Sequence, residues 1–334
     1  MSESNPESHE NAELPANPEM LPPVEPPSAK FIVQLFVVPG LIVAVIVGVW
    51  LLFGKLASAE QDWQALVADM KSSNEHRRGR GAMGLAQALA ADGNSTADGP
   101  RLATNPQVAQ ELSSFLAETL KSSSQEPAVI AQQDFLTRTL GYLDAPQFVL
   151  PVLCEAMQES RDHEVRKNAV ISVARIAHRA SERHEPLSDQ GIVEALTIVS
   201  RDADPLMRST ATFALGFFPL DLVRQSLTVL LADLDANTRA NAAVAFTRHS
   251  SLDGVPVLRD ILKTAATTKT PAPPGDSAPI ATTAALKAVR DLAPLIDGAT
   301  RAEIIRDVET ISSGYPEARI RFDAAQTLAK IRSQ

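Results

Sequence analysis

Four times in this chain an acidic residue is followed by an Arg four positions on and an Ala three beyond that. The copies read Asp162-HEV-Arg166-KN-Ala169, Asp204-PLM-Arg208-ST-Ala211, Asp235-ANT-Arg239-AN-Ala242 and Glu317-ARI-Arg321-FD-Ala324. The Arg positions lie 42, 31 and 82 residues apart, and the last interval holds a degenerate copy centred on Ala281. Self-similarity at a spacing of about 30–45 residues marks an array of stacked units rather than a domain with one core. That form explains how 334 residues with 45% hydrophobic but only 4% aromatic side chains can fold. No single core has to grow with the chain.

Charge and cysteine content narrow the function classes. A formal net charge of −9 argues against a nucleic-acid partner held by phosphate contacts. The single Cys154 excludes an intrachain disulfide and any multi-cysteine metal site. The charge is uneven, for residues 1–30 carry six Glu and one Lys, a net of −5. That segment is rich in Pro, Glu, Ser and Asn and too poor in apolar side chains to offset the entropy of ordering it. It reads as a disordered acidic tail.

Residues 31–53 form a run of 23 without a charge, bracketed by Lys30 and Lys55, with Trp50 near one end. A helix of that length reaches about 34 Å, enough for a hydrocarbon core of about 30 Å. A single transmembrane helix is therefore expected. Ala57-Ser58-Ala59 fits a signal-peptide cleavage site, but the acidic leader and the length of the apolar run favour a retained anchor. Lys71, Arg77, Arg78 and Arg80 on the C-terminal side favour a cytoplasmic C-terminal domain. Gly40, Ala44 and Gly48 share one face of the span and could let two such helices approach closely, giving a homodimer.

Beyond residue 56 the pattern is helical. Aligned on the recurring Arg, the inner helix of each unit shows apolar residues at i, i+4, i+8 and i+11: Val165, Ala169, Val173, Ile176; Met207, Ala211, Leu215, Phe218; Ile320, Ala324, Leu328, Ile331. These fall on one face of a 3.6-residue helix. An apolar outer helix precedes each, as at Phe148–Met157 and Ile192–Val199. Three weaker copies complete about seven pairs: one using Gln132, Leu136, Leu140 and Leu143; one using Ile280, Ala284 and Ala288; and a first offering Leu85 and Ala88.

The Asp-x-x-x-Arg-x-x-Ala phrases and the helix end Ala214-Leu215-Gly216 resemble the HEAT-repeat family, in its short bilin-lyase-like form. The likeness covers 145–334 well and 56–144 loosely. It implies an all-α, right-handed α-solenoid. It also implies that each acid (Asp162, Asp204, Asp235, Glu317) caps its helix, while each Arg (Arg166, Arg208, Arg239, Arg321) bridges to an acid of its own or a neighbouring repeat.

Candidate chemistry is sparse. Gly79-Arg80-Gly81-Ala82-Met83-Gly84 matches G-x-G-x-x-G but follows no strand, so no dinucleotide site is expected. The pairs His9-Glu10, His163-Glu164 and His184-Glu185 invite comparison with HEAT-like hydroxylases that hold two irons. Their placement does not match that family's pattern. Cys154 has no basic neighbours to activate it. A Pro-rich stretch, 264–283, is expected to project as a mobile excursion.

The expected object is thus a single-pass membrane protein with no catalytic residue, cofactor or metal. It presents a solenoid that scaffolds an unidentified protein partner. An enzyme or accessory subunit akin to HEAT-like lyases and hydroxylases is the alternative.

Overall fold

The computed structural model describes residue 30 and residues 37–57, 62–94, 101–122 and 124–334. It divides into two compact units, Met1–Gln61 and Asp62–Gln334.

In the first unit the described residues form one helix, α1 (Val38–Ala57). The described side chains of residues 37–49 are all exposed. No helix among the described residues is long and apolar enough to cross a membrane. The transmembrane span expected over 31–53 is therefore not carried by the described part of it, and residues 31–36 lie outside the described residues, as does the acidic tail up to Ala29.

The described residues of the second unit form seven helix pairs. They are α2 (Trp63–Met70) with α3 (Glu75–Asn94), α4 (Pro106–Lys121) with α5 (Pro127–Leu140), and α6 (Pro146–Ala156) with α7 (His163–Glu182). Then come α8 (Gln190–Val199) with α9 (Pro205–Leu215), and α10 (Leu220–Leu230) with α11 (Ala236–Arg248). The last are α12 (Val255–Thr267) with α13 (Ala278–Leu292), and α14 (Gly298–Gly314) with α15 (Ala318–Arg332). No strand occurs among the described residues.

The starts of these helices follow from their caps. Asp62, Asn105, Asp162, Asp189, Asp204, Asp235 and Asp297 each accept backbone N–H bonds from the first turn of the helix they precede. An Asp or Asn in that place typically contributes about 1 kcal/mol. Pro106, Pro127, Pro146 and Pro205 open their helices where the missing N–H has no intrahelical partner to lose.

Packing is layered. From α5 to α15 each second helix packs against the second helix of the next pair, and first helices contact first helices through most of the array. The i, i+4, i+8, i+11 seam is what they bury: Val165, Ala169, Val173 and Ile176 are at most 2% exposed, as are Met207, Ala211, Leu215 and Phe218. Each large side chain so removed from water contributes roughly 1.5–3 kcal/mol. The buried residues fall into two clusters that meet on α11. Ala242, Ala245 and Phe246 belong to the first, and Ala243 of the same helix to the second.

Three expectations are corrected. In α13 the buried seam is Ala281, Ala285, Val289 and Leu292, one residue beyond Ile280 and Ala284, and Ile280 is 73% exposed. The degenerate copy has no Arg to set its register, and Ala-rich stretches fit two registers equally well. The loop expected over 264–283 is shorter, from 268 to 277, because α12 runs on to Thr267 and α13 starts at Ala278. Nor is it free, since Ala272 N–H donates to Glu317 Oε1 (3.3 Å). Glu317 consequently makes no side-chain cap on its own helix, α15, where a capping acid was expected.

The first pair proves more regular than its sequence indicated. Asn74 Oδ1 accepts from Arg77 N–H (3.2 Å), and Gly81 sits buried where other copies place Ala. A Cβ on Gly81 would lie 2.6 Å from Leu66 O and 2.8 Å from Met70 N. The helices α2 and α3 approach closely only because it is absent. This accounts for two of the glycines in the G-x-G-x-x-G match, since Gly84 likewise faces Leu66 Cδ2 at 2.6 Å.

Candidate functional site

Two rows of arginine run across the second helices, one at their N-terminal ends and one near their C-terminal ends. The N-terminal row contains the residues of the recurring phrase. Asp162 accepts from Glu164 and Val165 N–H, Asp204 from Leu206 N–H and Asp235 from Thr238 N–H.

The arginines do not pair with these capping acids. Arg208 makes a bidentate pair with Asp233 (Nε to Oδ2 and Nη2 to Oδ1, both 3.0 Å), two residues before the next cap. Arg166 pairs likewise with Asp202 of the following loop. The same arginines hold loop carbonyls. Arg208 Nη1 donates to Asp202 O and Ala203 O, Arg239 Nη1 to Asp233 O and Leu234 O, and Arg321 Nη1 to Tyr315 O and Pro316 O. Arg78 donates to Ser72 O and Ser73 O in the same relation, which places the first pair within the series. An Asn cap in place of acid, and Gly in place of Ala, hid that copy in the sequence.

Asp202 and Asp233 each serve a second role, accepting the backbone N–H of Asp204 and Asp235. Burial pushes the Asp202 carboxyl upward, but the Asp204 amide and Arg166 outweigh it and hold it below the ordinary range. Asp233 shows the same balance, with Arg208 and the Asp235 amide overcoming burial. Every group in this row is thus partnered within the array. Arg239 lacks an equivalent carboxylate because the residue two before Ser277, the N-cap of α13, is Gly275.

The other candidates have structural surroundings. His163 Nε2 lies 2.7 Å from Asp204 Oδ2, which raises the imidazole pKa, and Nδ1 lies 3.4 Å from Glu164. His184 lies two residues past the end of α7, with φ of 60°. His9-Glu10 lies outside the described residues. No group of three or more His, Cys, Asp or Glu able to hold a metal occurs among the described residues. Burial pushes the Cys154 thiol up to about 11, with Asp189 adding to it, so the thiolate form is disfavoured. Gly40 and Gly48 are open, with nothing within 4 Å of a Cβ on either, and Ala44 is exposed beside them.

The second row went unnoticed in the sequence. Nine residues after the Arg position of each phrase, four consecutive second helices or their C-terminal turns carry Tyr142, Arg175, Phe217 and Arg248. Aromatic and cation alternate. The Arg175 guanidinium lies over the Tyr142 ring at 4.2 Å, and that of Arg248 over Phe217 at 4.2 Å and Phe213 at 5.1 Å. Phe213 meets Phe217 edge-on at 5.0 Å, and the His178 ring lies tilted against Phe217 at 4.9 Å.

Tyr142 is 56% exposed and Phe213 40%. Space for the row is made by glycine. A Cβ on Gly216 would fall 2.4 Å from Arg248 Nη1, and one on Gly141 2.5 Å from Ser172 Oγ. The signal was available as Leu140-Gly141-Tyr142 and Leu215-Gly216-Phe217, a shared Leu-Gly-aromatic helix end.

No known family matches this chain, and no curated protein does. Among solved structures it is similar to YibA from E. coli, at 14% identity and a TM-score of 0.46, over 82% of this chain and 84% of that one. It is similar also to a designed armadillo repeat protein, at 17% identity and 0.36 over 74% and 99% of the two chains. Human deoxyhypusine hydroxylase gives 18% identity and 0.32 over 84% and 99%. Likenesses this loose carry no inference about activity, and the repeat architecture stands on the packing of the helix pairs.

Proposed function

We propose that this chain is a non-catalytic scaffold that holds a protein partner on the second-helix layer of a HEAT-like, right-handed array. The observation that supports it most is the contrast between the two arginine rows. The N-terminal row is consumed in joining repeats, whereas the C-terminal row leaves Tyr142, Phe213 and Arg248 exposed, with Arg175 half-buried and Phe217 buried among them. Rigid, amphipathic rings and guanidinium groups are what interface centres are enriched in.

Photocrosslinking tests this. A photoreactive residue at Phe213 in the full chain is expected to capture a protein partner, and one at the exposed first-helix residue Ile198 is not. Capture at Ile198 alone, or at neither position, would overturn the reading.

The tether belongs to the same proposal. It rests on the uncharged run 31–53, with the array on the cytoplasmic side and Gly40, Ala44 and Gly48 as a pairing face. Release of the full chain from membranes by alkaline carbonate would reject the tether. An unchanged oligomer in Gly48→Leu would reject the pairing.

A further inference from the structure

We infer that the aromatic–arginine row binds an extended acidic segment of a partner protein, carrying two carboxylates about five or six residues apart with apolar side chains between them. The inference rests on the scaffold reading and specifies the chemistry of its partner.

Charge complementarity sets the ligand class. Arg175 and Arg248 occupy equivalent places two helices apart and make no hydrogen bond or ion pair to a carboxylate or carbonyl among the described residues. Most arginines elsewhere in the array have such partners, as Arg138, Arg161, Arg166, Arg183 and Arg208 do. Stacking leaves the N–H edge of a guanidinium able to donate in its plane while the ring fixes its orientation. Arg248 shows the cost of that arrangement. Although the residue is exposed as a whole, burial of its head pushes its pKa down to about 10, with no carboxylate nearby to offset the lost hydration. It stays charged at neutral pH, and a docked carboxylate supplies the missing partner.

Spacing sets the rest. Packed helices lie about 8–10 Å apart, so two steps separate the guanidinium groups by roughly 16–20 Å. An extended chain rises about 3.3 Å per residue, so five or six residues bridge them. Between the two cations lie the exposed rings of Phe213 and His178, each packed on the buried Phe217, a platform that suits apolar side chains. Nucleic acid would also meet stacked rings and cations, but a chain of net charge −9 with two unpaired arginines in the row lacks the phosphate contacts that such binding needs.

The test is selection from a random 12-residue peptide library on the full chain in detergent, repeated with the Arg175→Gln/Arg248→Gln double variant and with Arg248→Glu. The expected result is enrichment of Asp or Glu pairs at a spacing of five or six. Binding of the selected peptide should fall at least about tenfold in the double variant, with a shift toward Lys or Arg at one position for Arg248→Glu. It should also weaken as salt rises. Circular dichroism of the variants checks that both remain helical.

Enriched peptides without acids, or acidic peptides bound equally by the double variant, would overturn the inference and leave the scaffold reading standing. So would tighter binding of a single-stranded oligonucleotide that the same variant abolishes. A library that yields no binder also overturns the inference, whereas the scaffold reading is decided separately by crosslinking at Phe213.

Discussion

Arg208 and Arg248 belong to neighbouring second helices, and both place their guanidinium beside the adjoining repeat, yet their surroundings are opposite. Arg208 is grasped by two Asp233 oxygens and two loop carbonyls, with its side chain only 15% exposed. Arg248 lies on two phenylalanine rings with no oxygen in reach among the described residues. The first arrangement uses four of the five guanidinium N–H groups inside the protein. The second sacrifices a little stability and keeps a charged, oriented group available. One residue type thus serves as joint or as contact according to whether loop oxygens or aromatic rings meet its guanidinium.

The sharpest way to break this comparison is to truncate both. Arg208→Ala strands the Asp233 carboxylate and frees two carbonyls, and should destabilise by about 2–4 kcal/mol. Arg248→Ala loses a partly exposed stacking contact and should stay within about 1 kcal/mol. Denaturant midpoints, with local hydrogen exchange in α9–α11 because repeat arrays need not unfold in one step, read the difference. Equal losses would mean that the two rows are structural alike.

A smaller effect is expected where glycine sets the spacing. Gly81→Ala thrusts a methyl onto backbone atoms of Leu66 and Met70 that cannot swing aside, and should cost about 1–3 kcal/mol. Gly216→Ala meets the mobile end of Arg248 and the Ala245 methyl, so it should cost less and act mainly by displacing the guanidinium. Thermal melts of the two variants rank them, and a milder effect at Gly81 would contradict the close packing of α2 on α3.

The smallest effect is in pH dependence, and its sign separates the joint carboxylates from His163. Asp202 and Asp233 titrate below their unfolded values, so their stabilisation is complete above about pH 4 and lost as pH falls through their folded pKa. His163 is raised by Asp204, so its contribution is complete below about pH 6.5 and lost as pH rises through its folded pKa. Asp233→Asn should flatten the acid limb, and His163→Gln the slight decline above neutrality. An unaltered acid limb in Asp233→Asn would show that Arg208 takes its stability elsewhere.

Much of the fold could be read from residue spacing, because stacking forces the same offsets on every repeat. The seam from Val165 to Ile176 and the caps at Asp162, Asp204 and Asp235 follow from that constraint. The register of α13 did not, since small residues on several faces carry no periodic contrast. Asn74 with Arg78 was missed because a functional equivalent, not an identical residue, fills each place. Asp202 and Asp233 escaped notice for a different reason. They stand two residues before the recurring acid, outside the phrase itself, so a bridge to a neighbouring repeat was expected on the wrong Asp. The aromatic row was hardest to see, because one position alternates between ring and cation and no single residue type recurs. The span 31–53 rests on hydropathy, with part of it outside the described residues.

The joints have a direction. Arg166 depends on Asp202 and Arg208 on Asp233, so in each case the cation belongs to the earlier repeat and its acid to the later one. Each of these aspartates also has an amide within its own loop, and would keep a partner if its predecessor were missing. The arginine would not keep its carboxylate if its successor were missing. A chain made from its N-terminus therefore emerges with its latest joint open and waiting, and each new repeat completes the one before it.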